Sequence, residues 1–364
     1  MEIEARIKKM KDILITLIEF IDASDNPEAE FQALNDKLKE HKILHNDEEV
    51  QLLFQLILKI ASNHRRLPDF FDKLDQIMQI LIQTKPSPIS KFIPDFQNYN
   101  KLIIFFLLEK GFVIPDQSFL DQYLQRKQTI ETFSNNPLKN FQSDYFYYLY
   151  PIMKEFIEEK MQEQIEKEIF QLFDVDIQKF AEKCQIGEND SYICSLIRKD
   201  SIEEFVVYVS RTNLSLCTKI EPSIYETNLF LIDRDPTLIE YAAFFGSIQI
   251  IQYLKYNEVQ LTGSLWLYAV HSNNPELIHF LEENEVNLSD SLPIHVLLES
   301  IKCHHNANTN YIKDNFDDKM QIRDRSSFND IIFNSLNFLF YPDDIVSDAC
   351  KMKDIKAFKS YAHH

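Results

Sequence analysis

The sequence has 364 residues, of which 45% are hydrophobic and 26% charged, a balance typical of a folded chain rather than a disordered one. Its formal net charge is −19, and a field of that sign repels nucleic-acid phosphates and anionic lipids. Only four glycines stand beside 29 phenylalanines and 16 tyrosines. Because tight hairpins and positive-φ turns favour glycine, this composition argues against all-β and doubly wound folds and predicts an all-α protein.

The cysteines and the hydropathy pattern predict a reduced, cytoplasmic protein. The five cysteines are scattered without a CxxC pair or a regular framework, as in intracellular proteins. The longest wholly apolar run, Leu102–Leu108, is far shorter than the roughly 20 residues of a membrane helix. At the N-terminus, apolar residues recur at three- and four-residue steps among acids such as Glu19, which indicates an amphipathic helix rather than a signal peptide.

Residues 1–93 are predicted to form an N-terminal helical region, because four segments carry apolar residues at helical spacing. The predicted helices are Met1–Ile21, Pro27–Glu40, Asp47–Ser62 and Pro68–Gln83. Prolines then interrupt the segment Gln83–Phe96. Since proline stops helices, we interpret this segment as a connection.

Residues 94–183 are predicted to contain a degenerate repeat and long helices. The stretch Ser143–Met153 holds five closely spaced aromatic residues. It is interpreted as core packing between helices, with an exposed recognition patch as the alternative. The next stretch, Met153–Cys184, places apolar residues from Ile157 to Phe180 on one helical face. That pattern predicts one long helix packed on its own array, with a coiled coil as the alternative.

The region 184–364 contains an internal repeat. Its clearest copies are Glu240–Leu254 and Leu267–Leu281, in which Ala242 aligns with Ala269 and a glycine aligns with Asn273. Weaker copies in this region are Cys194–Tyr208, Leu298–Ile312 and Ser347–Tyr361, and another weak copy, Pro94–Leu108, lies upstream of it.

Each copy is predicted to be a helix, a tight turn, a second helix and a short extended loop. The turn falls at Gly246, which ends the first helix because glycine tolerates the left-handed conformation. The predicted buried stripe of the second helix is Ile248, Ile250, Ile251 and Leu254. Asn257 and Asn284, 27 residues apart, are expected to end the second helices in the same left-handed way, as are Gly111 and Asn315. One such pair cannot bury both faces, so copies must stack.

These residues carry a resemblance to a known family. Thr237–Val259 resembles an ankyrin repeat, and Ser264–Val286 resembles the next one. More narrowly, Cys184–Phe316, about a third of the chain, is similar to an uncharacterised ankyrin-type domain family expanded in trichomonad protists. The resemblance implies an ankyrin-like helical repeat solenoid, a concave helical face and loop tips that bind partner proteins, and no catalytic residues. Glu240 and Leu267 replace the family histidine, which implies weaker coupling between repeats.

The 31 residues Val209–Ile239 separate two copies and are too long for a simple turn between repeats. Two interpretations stay open, a contact site on the loop side and an insertion that the fold merely tolerates.

No motif of a known chemistry is found. GxGxxG, Walker and GxSxG signatures are excluded because the closest glycines, Gly246 and Gly263, are 17 residues apart. The run Lys302–Asn306, KCHHN, suggests a metal site built from Cys303 and His304, with His279 and His295 as helpers. The preferred interpretation places His304 at the turn position of Gly246 and the other residues of the run at the surface.

The prediction is therefore an all-α, ankyrin-like helical repeat solenoid with domains at 1–93, 94–183 and 184–364. Its predicted function is non-catalytic protein–protein binding, without cofactor or metal, and without nucleic acid or membrane as partner. The partner protein is not identified by the sequence. The expected contact residues at the loop tips are Tyr256, Glu258 and Gln260, followed by Glu283, Glu285 and Asn287.

The alternatives are a structural spacer or self-associating array, and a metal-binding or enzymatic protein with a site around Cys303 and His304. The C-terminal segment KAFKSYAHH has apolar residues and no polar cap. Because terminal repeats need such a cap, its helix is expected either to dock another chain or to continue into a longer array.

Overall fold

The computed structural model describes residues 2–84, 100–132, 145–288, 292–316 and 325–341. Within these ranges the chain forms 19 α-helices and no β-strand, which confirms the prediction of an all-α protein. The first nine helices are α1 Glu2–Asp22, α2 Pro27–Glu40, α3 Asp47–Asn63, α4 Phe70–Thr84, α5 Lys101–Glu109, α6 Gln117–Thr132, α7 Phe146–Met153, α8 Glu159–Phe173 and α9 Ile177–Ile186. The next ten are α10 Tyr192–Arg198, α11 Ile202–Thr212, α12 Leu229–Arg234, α13 Leu238–Phe245, α14 Ile248–Tyr256, α15 Leu265–Ser272, α16 Pro275–Glu283, α17 Leu292–Lys302, α18 Asn306–Phe316 and α19 Arg325–Ser335.

The helices pack as two units. Unit 1 combines residues 1–86 with residues 262–364, and unit 2 contains residues 87–261. This grouping by packing differs from the sequence-based division at residues 93 and 183, which stays a prediction about the organisation of the chain. In the part of the chain that the structure describes, no helix is both long and apolar enough to cross a membrane.

The four N-terminal helices lie where the apolar periodicity predicts them, with ends within two residues of the prediction. The side chain of Asn26 accepts a hydrogen bond from the backbone at the start of α2, and Asn46 does the same for α3. Such caps satisfy backbone N–H groups that have no partner inside the helix. Leu14, Leu17 and Phe20 of α1 are fully buried, as the amphipathic pattern requires.

The aromatic-rich segment is part of the core of unit 2. The residues from Tyr145 to Tyr150 are all buried in and just before α7, which confirms the interpretation as core packing. The hydroxyl of Tyr148 donates to the Cys184 carbonyl, and the hydroxyl of Tyr123 donates to the Phe146 carbonyl at 2.8 Å. The buried hydroxyls are therefore satisfied by backbone acceptors.

The predicted long helix Met153–Cys184 is wrong, because the chain breaks at two places. A short 3-10 turn, Lys154–Phe156, precedes α8. Asp174 then adopts the left-handed conformation at φ 53° and ends α8. Asp176 caps the start of α9 by accepting from the Lys179 N–H at 2.9 Å. The two aspartates each favour a helix end, and together they outweigh the continuous apolar face.

Unit 2 contains two helix pairs that pack side by side. The pair α10/α11 lies against the pair α13/α14, with α10 next to α13 and α11 next to α14. The predicted stripe of α14 is buried along its whole length. Gly246 ends α13 at φ +72°, and its neighbour Ser247 donates its N–H to the Ala242 carbonyl at 2.9 Å. The predicted role of Gly246 is confirmed.

Unit 1 contains the corresponding pairs α15/α16 and α17/α18, followed by α19. Helix α17 packs on α15, on α18 and on α19. The turn residue Asn273 of the first pair has φ 49°, His304 of the second has φ 58°, and Leu336 after α19 has φ 56°. The left-handed turn predicted at Gly246 therefore recurs at three aligned positions without a glycine.

One hydrogen bond recurs between successive pairs within each unit. In unit 2, the Ser247 hydroxyl donates to the Ile197 carbonyl at 2.6 Å. In unit 1, His305 Nδ1 lies 2.6 Å from the Val270 carbonyl, and the Asn337 amide donates to the Ile301 carbonyl at 3.0 Å.

These three bonds are equivalent in position. Each donor follows the left-handed turn residue of its own pair, and each acceptor lies three residues before the left-handed residue of the preceding pair. Because donors and acceptors are buried, each bond fixes how one pair sits on the next.

Several predicted segments fall wholly or partly outside the described residues. They are the proline-broken connection within Gln83–Phe96, the first residues of the copy Pro94–Leu108, the copy Ser347–Tyr361 and the C-terminal segment KAFKSYAHH. The described part of Pro94–Leu108 consists of Asn100, which caps α5, and the buried residues of α5 up to Leu108.

Removing the hydroxyl of Ser247 tests the recurring bond. We expect Ser247→Ala to lower the free energy of unfolding by about 1 kcal/mol, because a buried carbonyl loses a donor. The measurement is urea unfolding followed by circular dichroism.

Ser195→Ala is the matched control, since its hydroxyl bonds only to the Tyr192 carbonyl within its own helix. We expect a change below about 0.5 kcal/mol for the control. Equal losses in both variants would contradict the role assigned to Ser247.

Candidate functional site

The two predicted contact loops have the same backbone. The first tip is residues 256–260 of unit 2, and the second tip is residues 283–287 of unit 1. In the first tip, the Val259 N–H donates to the Leu254 carbonyl at 3.0 Å. In the second, the Val286 N–H donates to the Leu281 carbonyl at 3.0 Å. Both valines are buried, so each tip is held from beneath by one apolar side chain.

The left-handed residue of each tip is a glutamate, not the predicted asparagine. Asn257 and Asn284 both have φ −92°, so the prediction that they end the second helices in left-handed conformation is wrong. Glu258 has φ 64° and Glu285 has φ 51°. The two asparagines instead donate their side-chain amides to the carbonyls of the fourth residue before them, at 2.8 and 2.6 Å. They satisfy helix C-termini through the side chain rather than the backbone.

All six predicted contact residues are exposed. Tyr256 is 88% exposed, the largest value among the exposed large apolar side chains of the described residues. No ion pair is formed among the described residues by Glu258, Glu283 or Glu285. Each tip thus presents exposed acidic groups to solvent, and the first tip adds an exposed aromatic ring.

The insert between the two pairs of unit 2 is largely packed. The Ile220 N–H donates to the Pro236 carbonyl at 2.7 Å, which closes the part of the insert between these two residues into a loop. The Thr227 hydroxyl donates to the Gly187 carbonyl at 2.7 Å, and residues 224–227 are buried. The middle of the insert therefore belongs to the core of unit 2 and is not open to a partner.

A buried polar cluster lies between α15 and α17 in unit 1. Cys303 Sγ is 3.3 Å from His271 Nδ1, and His271 Nε2 is 3.2 Å from Glu299 Oε1. Lys302 Nζ contacts the other oxygen of Glu299 at 2.8 Å. Burial opposes ionisation of Glu299, but the hydrogen bonds and charges of His271 and Lys302 outweigh it and hold the pKa of this carboxyl at about 2.

The histidines beside this cluster have structural roles. His305 and His304 are buried, so the interpretation that the neighbours of His304 are surface residues is wrong. The His64 ring contacts the His305 ring at 4.5 Å, and His64 bonds to the Cys303 carbonyl at 2.7 Å. Burial lowers the pKa of His304 to about 3 and that of His305 well below its usual value. Both are therefore neutral near pH 7.

The structure brings Cys303 together with partners that the sequence reasoning missed. His304 makes its contact to the Lys302 carbonyl, and the proposed helpers His279 and His295 are exposed. His271 and Glu299 take their place beside the thiol. Glu299 lies four residues before Cys303, a spacing that puts both on one helix face and could have indicated the pair. His271 is 28 residues before Glu299 and has no such local signal.

The order thiol, imidazole and carboxylate resembles the arrangement of a cysteine nucleophile with its base. An active nucleophile needs a lowered thiol pKa and access to substrate. Burial and the charge of Glu299 instead raise the pKa of Cys303 well above its usual value, and the thiol is fully buried. The geometry therefore does not provide an activated nucleophile.

No family model matches the chain, and neither a curated protein nor a solved structure matches it.

Thiol reactivity tests the assignment of the cysteines. Burial raises the pKa of Cys194 to about 11 from 9.0, and it raises the pKa of Cys184 further. Two pKa units correspond to about 100-fold less thiolate. With iodoacetamide near pH 7.5, we expect the exposed Cys217 to be alkylated at least about 100-fold faster than Cys184, Cys194 and Cys303.

Peptide mass spectrometry at timed intervals measures each rate, and a urea-unfolded sample is the control in which all four react. Alkylation of Cys303 as fast as Cys217 in the folded chain would contradict the assignment of Cys303 as a buried, unactivated thiol.

Proposed function

We propose that this protein is a non-catalytic protein–protein interaction scaffold built of ankyrin-type repeats, forming a helical solenoid. The proposal is supported by helix pairs with left-handed turns that pack side by side within each unit. It is further supported by Thr237, whose side chain and backbone bond reciprocally with Glu240 at the start of α13. This capping box falls on the segment that resembles the start of an ankyrin repeat.

The single observation that carries the proposal is the glutamate in left-handed conformation at both tips. A non-glycine residue in that region costs about 1 kcal/mol, and asparagine or glycine is the usual solution. The chain places asparagine one position earlier and glutamate at the strained position, in both tips. Strained residues at an exposed loop are typical of sites whose side chains serve binding rather than stability.

The chemistry of the tips indicates the class of partner. Glu258, Glu283 and Glu285 present exposed carboxylates that form no ion pair among the described residues, and the whole chain has a net charge of −19. Such a surface attracts a protein with exposed lysines or arginines and repels nucleic acid. Tyr256 supplies the aromatic side chain that interfaces use as an anchor.

We also propose a cytoplasmic location. The four cysteines that the structure describes are all free thiols, which supports a reducing compartment.

The substitution Glu258→Asn separates stability from binding. We expect the free energy of unfolding to rise by about 0.5–1 kcal/mol because asparagine fits the left-handed backbone better. We expect partner capture to weaken at least about fivefold because the tip loses its carboxylate. Urea unfolding gives the first quantity, and quantitative pull-down with the full-length chain gives the second.

Asp174→Asn is the matched control, since Asp174 is also exposed, acidic and left-handed but belongs to neither tip. It is expected to gain stability without losing capture. A Glu258→Asn protein that captures partners as well as the wild type would contradict the proposal.

Photo-crosslinking locates the contact directly. A photoreactive phenylalanine at position 256 is expected to give a discrete crosslinked partner in cell extract, and Glu258→Asn in the same chain should reduce its yield. The same probe at Tyr192, an aromatic residue 54% exposed in the same unit, is the control and should not give that product. Identical products from both positions, or no product from position 256, would count against the first tip as a contact.

A further inference from the structure

Three ligand-type side chains converge in the interior of unit 1. His271, Glu299 and Cys303 each offer one ligand atom, and these atoms all lie within 4.8 Å of one another. All three residues are buried. Among the described residues, no other group of three or more histidines, cysteines and acids is gathered closely enough to hold a metal ion.

Local structure explains how two of the three ligands share a face. The Cys303 N–H donates to the Glu299 carbonyl at 3.0 Å, so the helical turn of α17 continues through Cys303. Residues four apart on such a turn point in the same direction. The neighbouring helix on that side is α15, and His271 lies in its last turn. The cluster therefore joins two successive helix pairs.

Two of the distances between ligand atoms are close to those around a tetrahedral zinc ion, and all three lie within 4.8 Å. Zinc lies about 2.0–2.3 Å from nitrogen, oxygen and sulfur ligands, which places neighbouring ligand atoms about 3.4–3.6 Å apart. His271 Nε2 is 3.2 Å from Glu299 Oε1 and 3.9 Å from Cys303 Sγ. Small movements of these side chains would suffice to bring all three atoms to a common centre.

The hydrogen bonding of Glu299 supports the same arrangement. Lys302 Nζ contacts one carboxylate oxygen of Glu299 at 2.8 Å, and the other oxygen contacts His271 Nε2. A carboxylate fixed in this way resembles the second-shell support that orients metal ligands.

We propose that His271, Glu299 and Cys303 form a zinc site that joins the helix pair α15/α16 to the pair α17/α18. A thiolate, an imidazole and a carboxylate form a donor set that selects zinc over magnesium or calcium, which prefer oxygen alone. Binding breaks the S–H bond of Cys303, forms the sulfur–zinc bond and releases the thiol proton to solvent. Three protein ligands leave a fourth position for water.

All three ligands are buried, so a water molecule in the fourth position would be out of reach of a substrate, and the site has a structural rather than a catalytic role. The ion is held by two helix pairs, so its binding free energy adds to the stability of unit 1. The proposal does not depend on the tips, because neither tip contributes a ligand.

Cobalt binding by the full-length chain tests the proposal. After chelator treatment and dialysis, Co²⁺ is titrated into the reduced protein and the thiolate-to-cobalt charge-transfer absorption is recorded. We expect one equivalent to saturate the absorption and one equivalent of Zn²⁺ to abolish it. We also expect Zn²⁺, but not Mg²⁺, to raise the midpoint of thermal unfolding.

Variants identify the ligands. Cys303→Ser is expected to abolish the charge-transfer band, and Glu299→Gln to weaken Zn²⁺ binding at least about tenfold while the fold is kept. Cys194→Ser, which changes another buried thiol, and Cys217→Ser are the controls and should bind as the wild type does. If Cys303→Ser fails to fold, the weaker binding of Glu299→Gln decides the question.

Absence of a saturable charge-transfer band in the wild type would overturn the proposal. So would a band that survives in folded Cys303→Ser, or one that is lost in Cys217→Ser, because the metal would then lie at another thiol. Equal Zn²⁺ affinity of Glu299→Gln and the wild type would exclude the carboxylate as a ligand and overturn the site as proposed.

Discussion

Each helix pair in this protein has more apolar surface than it can bury alone, and the rest of the structure depends on the contact that covers it. Helix α14 buries Ile250, Ile251 and Leu254, but α13 provides only part of their cover. Helix α11 of the pair α10/α11 also packs on α14, and the bond from Ser247 to the Ile197 carbonyl fixes the position of one pair on the other. The equivalent bonds of His305 and Asn337 show that unit 1 uses the same solution with different side chains.

This constraint explains why the turn chemistry varies while the turn geometry does not. Asp200, Gly246, Asn273, His304 and Leu336 all have positive φ at aligned positions. A glycine would suit every one of them, yet the chain has only four glycines in total. The residue after the turn forms the hydrogen bond to the preceding pair, and this residue is serine at 247, histidine at 305 and asparagine at 337.

Much of the fold could be predicted from the sequence where the signal is local. The four N-terminal helices follow from apolar periodicity, and the turn at Gly246 follows from the ease with which glycine adopts left-handed backbone. The long helix across Asp174 was predicted wrongly because periodicity gives the buried face of a helix but not its continuity. The tips show a similar error, in which Asn257 and Asn284 have the right composition for a turn but lie one position before it.

The candidate sites depend on contacts between residues that are distant in the sequence, and local sequence patterns do not reveal such contacts. Cys303 could be found from its neighbours, but His271 reaches it only because α15 packs against α17. The exposure of Tyr256 could be inferred because it follows Leu254, the last buried residue of α14. The left-handed conformation of Glu258 could not be inferred, since no local sequence signal places a glutamate in that conformation. The buried stripes and the left-handed glutamates therefore belong to the same helix pairs.

Native-state hydrogen exchange after Ile250→Ala tests the central claim, that helix pairs support one another in series, most directly. The substitution leaves a cavity in α14 and is expected to cost about 2–4 kcal/mol. If the pairs support one another, the amides of α10 and α11, about 40 residues earlier in the sequence, should exchange faster together with those of α13 and α14. Faster exchange confined to α13 and α14, with α10 and α11 unchanged, would contradict the account.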